Sequence, residues 1–171
     1  AYPMGQHGFA RDTEFEQIAA GEDFVTYRLC ADEESKKKYP FDFVLEITHR
    51  LENNRLSVEW NVKNADDKEM YFTIGGHPAF NVNILPDTDF EDYSLVFKEG
   101  IETLSYILID AENGTALTDK TYKLELTNSK YSLKKDMFDK DALIFDNGQI
   151  EWVGLALPNA KPYMALESKN F

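Results

Sequence analysis

Phe43 to Val62 is the stretch that most restricts the architecture. Phe43, Leu45, Ile47 and Leu51 share one face of a period-two pattern, while Glu46, Thr48 and Arg50 share the other. Glu52-Asn53-Asn54 then supplies a turn. After it Leu56, Val58, Trp60 and Val62 point one way, and Arg55, Ser57, Glu59 and Asn61 the other. Alternation on every second residue is the mark of a half-buried strand, because successive side chains of a strand leave on opposite faces. Two such runs joined by a short polar turn predict an antiparallel hairpin with one dry face. His49 falls on that dry face, in step with Ile47 and Leu51. It is expected to be a buried, hydrogen-bonded core histidine rather than a ligand.

The same reading extends along the chain. Thr13 to Ala19 alternates around Phe15 and Ile18, Gly21-Glu22-Asp23 turns, and Phe24 to Cys30 is a second strand, so these form a hairpin. Asp32 to Lys38 mixes acids with three consecutive lysines, which reads as a solvated loop or a single helical turn rather than a basic patch. Asn64 to Lys68 turns, and Met70 to Ile74 is expected as a strand. Asn81 to Asp92 is a loop. Tyr93 to Phe97, Glu102 to Ile109 and Tyr122 to Leu126 are strands, with Asp110 to Asp119 as the loop before the last. Asn128 to Asp139 is expected to hold one short helix, and Asp141 to Phe145 an apolar strand opened by an acid. Asn147-Gly148 turns, and Gln149 to Leu157 pairs with Pro162 to Glu167. Many short alternating strands with turns between them predict an all-β antiparallel sandwich. No repeat, linker or boundary interrupts it, so residues 1–171 are expected to form a single domain, long enough to bury a core.

Composition narrows the partners. A formal net charge of −13 repels phosphate backbones and anionic lipid, which argues against nucleic acid and membrane surfaces. The lone cysteine, Cys30, excludes an internal disulfide and fits a reducing, cytoplasmic setting. No apolar run approaches the roughly 20 residues that span a bilayer. The opening Ala1-Tyr2-Pro3-Met4-Gly5-Gln6 lacks an initiator methionine and reads as a processed, trimmed or partial chain.

Two short stretches carry chemistry. In Gly75-Gly76-His77-Pro78-Ala79-Phe80 an imidazole sits between glycines and a proline, just after the expected strand. Glycine allows φ > 0 or a close backbone approach, and proline stiffens the backbone beside it. An acid or base needs that restraint, since proton transfer demands reach and direction. A packed or solvated turn histidine is the plainer alternative. In His7-Gly8-Phe9-Ala10-Arg11-Asp12 an imidazole, a guanidinium and a carboxylate lie within six residues, all of which a pocket for a polyhydroxylated ligand could use. A terminus with scattered polar residues is the alternative there.

Taken together, His7-Gly8-Phe9-Ala10-Arg11 and Gly75-Gly76-His77-Pro78-Ala79-Phe80 resemble the aldose 1-epimerase (galactose mutarotase) family, in the branch of LacX-like proteins and hexose-6-phosphate epimerases. The hairpin and Asp141-Ala142-Leu143-Ile144-Phe145 follow in similar order. The resemblance implies a β-supersandwich, of which this chain would be an incomplete part. It implies interconversion of the α and β anomers of a hexose, with no cofactor and no metal. It makes His77 the general acid toward the ring oxygen and His7 a second histidine near that oxygen. Arg11 and Asp141 become ligands of sugar hydroxyls.

The resemblance also exposes a departure. The family's base is a glutamate in a late Cys-Ile-Glu-Pro-Trp-like stretch that this chain lacks. Glu167 would be that base after a deletion, or the base would lie beyond Phe171. Only 26 positions (167 − 141) separate Asp141 from Glu167, little room for the intervening strands, which favours the second register. Missing terminal strands would leave unpaired edges, so self-association is expected. Three readings stay open: a mutarotase on a free hexose; a hexose-6-phosphate epimerase, with Arg11 and Lys98 toward the phosphate; and a sugar-binding sandwich that has lost the base.

Overall fold

The computed structural model describes residues 2–5, 7–110, 112–158 and 162–168. Ala1, Gln6, Ala111 and Phe171 of the stretches discussed above lie outside the described residues. The protein is mostly β, with about 6% of residues helical, and its sheets are antiparallel, as the alternation predicts. The chain divides into two compact units, Ala1–Gly76 and His77–Phe171.

The first unit is a four-stranded sheet in the order β1-β2-β3-β4. Its strands are β1 (Glu16–Ala20), β2 (Phe24–Cys30), β3 (Phe43–Glu52) and β4 (Arg55–Asn64). The predicted hairpin forms in the register that pairs Leu45 with Val62, Ile47 with Trp60 and Leu51 with Leu56. Between β2 and β3, α1 (Glu33–Lys36) makes a single turn. Asp32 caps it: its carboxylate accepts from the Ser35 backbone N–H at 2.7 Å, and the Ser35 hydroxyl accepts from the Asp32 N–H at 2.9 Å. Leu29, Phe43 and Leu45 form the buried core, with Phe9, Tyr39, Val62 and Met70 packed on it.

The dry face is dry at one end only. Leu51, Leu56, Val58 and Trp60 are exposed, because the packing side chains gather over the Phe43 end of the sheet. His49 is correspondingly half-buried, and its Nδ1 lies out of contact with solvent without a hydrogen-bond partner. The expected hydrogen bond to that nitrogen is therefore absent among the described residues. Its cross-strand neighbours are Val25 and Val58, which can offer none from their side chains.

The second unit holds a four-stranded sheet in the order β10-β9-β5-β8 and a two-stranded sheet of β6 and β7. These are β5 (Ser94–Val96), β6 (Thr103–Ile109), β7 (Ala116–Glu125), β8 (Lys130–Ser132), β9 (Trp152–Ala156) and β10 (Pro162–Glu167). One buried cluster joins Tyr93, Leu133 and Leu155, and another joins Phe97, Leu104 and Leu124. Four expectations fail here and at the junction. β7 begins at Ala116, inside the expected loop from Asp110 to Asp119, because Ala116 and Leu117 pair with Ile109 and Leu108. Residues 69–84 contain no strand, because no strand among the described residues runs beside them to complete a ladder. The expected helix within 128–139 is absent. Asn128 and Ser129, at φ of 51° and 59°, make the tight turn between β7 and β8, and isolated turns follow over 135–140. The expected strand from Asp141 to Phe145 is reduced to one bridge, Ile107 with Ile144. Asp141, at a φ of 70°, leaves the extended region where a strand would have to begin.

Candidate functional site

In the first unit the His7 motif is built on its aromatic residue. Phe9 packs against Tyr39 and Phe43, with ring centroids 5.9 and 5.7 Å away. Gly8 takes a φ of 71°, a left-handed turn that a side chain disfavours, and its N–H donates to the Gly5 carbonyl at 3.0 Å. Ala10–Asp12 forms one 3-10 turn. An anchored Phe9 thus fixes the backbone while His7, Arg11 and Asp12 stay exposed. Of the three charged types grouped there by the sequence, Arg11 and Asp12 pair directly. The Arg11 guanidinium donates through Nε to Asp12 Oδ1 at 3.0 Å and through Nη2 to Oδ2 at 2.9 Å. That fork holds the Asp12 carboxyl below its ordinary value, with smaller help from Lys38 and His7. Arg11 is consequently occupied by a carboxylate in this structure, whereas the sequence presents it as open to a ligand.

At the start of the second motif, Met70 packs on the first unit's core and the Tyr39 hydroxyl donates to the Tyr71 carbonyl at 2.7 Å. Gly75 has open space around its missing side chain and no left-handed φ. Neither reason given for a glycine there holds at Gly75, and the strand end expected ahead of His77 is not formed. His77 opens the second unit, exposed, with Pro78 after it. In that unit the Tyr163 hydroxyl donates to the Asn81 carbonyl at 2.7 Å, and Val82 packs against the Tyr93 cluster. The backbone beyond His77 is therefore tied down by side chains rather than by a ladder.

Asp141 stands on an open groove of about 700 Å³ within the second unit. Leu108 and Leu117, directly paired across β6 and β7, supply apolar wall, and Tyr122 extends it. Phe138, Asp139, Lys140 and Asp141 form the other side. The Asp141 N–H donates to the Phe138 carbonyl at 3.0 Å, closing a backbone turn between the two residues. The segment after it is held along β6 by the Ile107–Ile144 bridge and by Gln149. The Gln149 side chain accepts from the Ser105 N–H at 2.8 Å and donates to the Ser105 carbonyl at 2.9 Å. Sequence reading found Asp141 but not Tyr122, Phe138, Asp139 or Lys140. The available signal was the Phe-Asp-Lys-Asp run itself, hidden by the expected helix. Lys98, the other cation considered for a phosphate, is paired with Glu151 at 2.5 Å. Glu167 ends β10, opposite Trp152. Among the described residues no helix is long and apolar enough to cross a membrane, and no three His, Cys, Asp or Glu side chains are grouped to hold a metal ion.

Antiparallel sheets in each unit, together with the two histidine motifs, point to a class, and the sequence comparisons agree with it. A sequence model of the family described as aldose 1-epimerase matches residues 1–154, so the chain belongs to that family. Among curated proteins it is similar to the plasmid-encoded and chromosomal LacX proteins of Lactococcus lactis subsp. lactis. Each is 34% identical over 143 residues, covering 82% of this chain and 47% of LacX. Among solved structures it is similar to a galactose mutarotase related enzyme from Lactobacillus acidophilus. That match has a TM-score of 0.83 and 32% identity, over 94% of this chain and 52% of the other. It is also similar to a galactose mutarotase-like protein from Lactobacillus casei. Here the TM-score is 0.75 and the identity 33%, over 94% of this chain and 54% of the other. The chain thus spans about half the length of the relatives it matches.

Proposed function

We propose that this chain carries the sugar-handling part of an aldose 1-epimerase, interconverting the α and β anomers of a hexose. One observation carries the reading: the family match over residues 1–154 includes both His7 and His77 in their motifs. Ring opening removes the proton of the anomeric hydroxyl, forms C1=O, breaks the bond from C1 to the ring oxygen and protonates that oxygen. Closure on the other face of C1 gives the other anomer. An imidazolium suits the ring oxygen because its proton can move near neutral pH. His77 is assigned that proton, and His7 a hydrogen bond near the same oxygen. Arg11 and Asp141 are assigned sugar hydroxyls. The Arg11–Asp12 fork uses Nε and Nη2 and leaves the remaining guanidinium N–H groups for sugar hydroxyls. The carboxylate base is Glu167 or a residue outside these 171. No cofactor enters this chemistry, and a cytoplasmic, water-soluble setting fits it.

Polarimetry of α-D-glucose and α-D-galactose tests the reading. General acid catalysis contributes about 10²- to 10⁴-fold, so His77→Ala should lower turnover by that order with the melting temperature unchanged. Turnover within a few-fold of the parent would remove His77 as the acid. Glu167→Gln should leave residual turnover unchanged if the base lies elsewhere; abolition would make Glu167 the base. Sugar binding without mutarotation would favour the second reading, a carbohydrate-binding sandwich that lacks the base.

A further inference from the structure

The two edges of the first unit's sheet differ. β1 is five residues long, and its register against β2 shifts between Gln17 and Ala19. A short, bulged edge is a poor template for another strand. β4 is ten residues long and runs against β3 in unbroken register from Arg55 to Asn64. No strand among the described residues pairs with its outer side. Which groups face that side follows from the ladder. The Ala65 N–H donates to the Asp42 carbonyl at 2.9 Å, one step beyond the pair of Phe43 with Asn64. Bonded and non-bonded pairs alternate along an antiparallel ladder, so Arg55, Ser57, Glu59, Asn61 and Lys63 bond to β3. Leu56, Val58, Trp60 and Val62 then turn their N–H and C=O groups to the free edge. The side chains of Leu56, Val58 and Trp60 are exposed as well, so the same residues present unpaired backbone and apolar surface.

The strand is complementary to itself in one register. A second β4 meets this edge about a two-fold axis only when outward residues lie opposite outward residues, which places the axis on a residue rather than between two. An axis at Glu59 sets Glu59 against its own copy and Arg55 against Lys63, and like charges directly opposite oppose pairing. An axis at Ser57 leaves Trp60 beyond the end of the other strand, opposite Asn54 in the turn. An axis at Val58 sets Val58 against its own copy, Leu56 against Trp60 twice and Ser57 against Glu59 twice, with no like charges opposed. Cross-strand pairs of aliphatic and aromatic residues are the pairs that stabilise a sheet. β4 carries Arg55 and Lys63 against Glu59, a sum of +1 in a chain of −13, so the strand itself adds nothing to the repulsion between copies.

We propose that the free edge of β4 is an interface for a second copy of this chain, whose β4 adds antiparallel about a two-fold axis at Val58 and joins two four-stranded sheets into one of eight. Single cysteines in a Cys30→Ser chain, oxidised with diamide, read the axis directly. High sodium chloride is used to screen the repulsion between two chains of charge −13. Val58→Cys should form a disulfide dimer, since the Cα atoms of a bonded pair lie about 5.5 Å apart, within disulfide reach. Ser57→Cys and Glu59→Cys should link at least about fivefold more slowly, because each then lies two residues out of step with its own copy, at about 8 Å. Faster linking at position 57 or 59, equal linking at all three, or linking at none would overturn the Val58 axis. A parent chain that stays monomeric by sedimentation at every concentration would leave the edge to another occupant and overturn the dimer.

Discussion

At position 49 an imidazole stands between Ile47 and Leu51 on one face of β3, opposite Val25 and Val58. Its Nδ1 is out of contact with water and has no partner among the described residues. A buried polar atom left unsatisfied costs roughly 1–3 kcal/mol, which an apolar side chain of similar volume would not incur. His49→Leu is therefore expected to leave the melting temperature equal or higher, while His49→Asp lowers it; thermal unfolding followed by circular dichroism reads both. A large loss in His49→Leu would show that the imidazole has a partner that stabilises it. The sequence placed this residue on the correct face but not in the correct setting. Alternation reports which face a side chain takes and says nothing about how much of that face is covered. The two histidine motifs were legible for another reason, residue identity in a fixed order. The groove was not legible, because its lining comes from β6, β7 and the 138–141 turn, which are separated in sequence.

Single elements show where pattern suffices. β2 was legible to the residue, Phe24–Cys30, since a strand lined by partners on both sides keeps its alternation. Residues 70–74 have equally strand-like side chains, yet Tyr71, Phe72 and Ile74 are exposed and unladdered. A strand is a property of two segments, and a sequence window sees one. The short α1 is legible in the opposite way, through its cap. The Ser35 backbone N–H, and then its hydroxyl, hold the Asp32 carboxyl below its ordinary value. A carboxyl depressed in the folded state adds stability that is complete above its unfolded value near 4 and fades as pH falls through the folded one. Asp32→Ala should therefore lower the melting temperature at pH 7 by a measurable amount and make little difference near pH 2. Asp32→Asn, still an acceptor for the cap, should lose less at pH 7 and show a shallower acid limb. A pH-independent difference between parent and Asp32→Ala would mean that the cap does not depend on ionisation.

On the scale of the whole molecule, apolar surface and charge oppose each other. Leu56 and Trp60 on β4 are 63% and 42% exposed, and Leu51 beside them on β3 is 57% exposed. Together with Val58 they form one patch on an edge strand whose outer backbone groups have no ladder partner among the described residues. Long, flat, apolar edges pair with other chains unless something blunts them. The blunting agent available here is net charge, −13, which repels a second copy at long range. Repulsion of that kind is screened over about 10 Å at 0.1 M salt and about 3 Å at 1 M, whereas apolar attraction is not weakened by salt. Self-association of the chain should therefore rise with added sodium chloride, the reverse of an ion-paired interface. Sedimentation velocity across a concentration series at both ionic strengths measures it. Leu56→Glu with Trp60→Glu should keep the chain monomeric at either salt level and lower its thermal transition only modestly, since Leu56 is 63% and Trp60 42% exposed. Association that weakens with salt, or that ignores the double substitution, would move the contact to a charged surface elsewhere on the molecule.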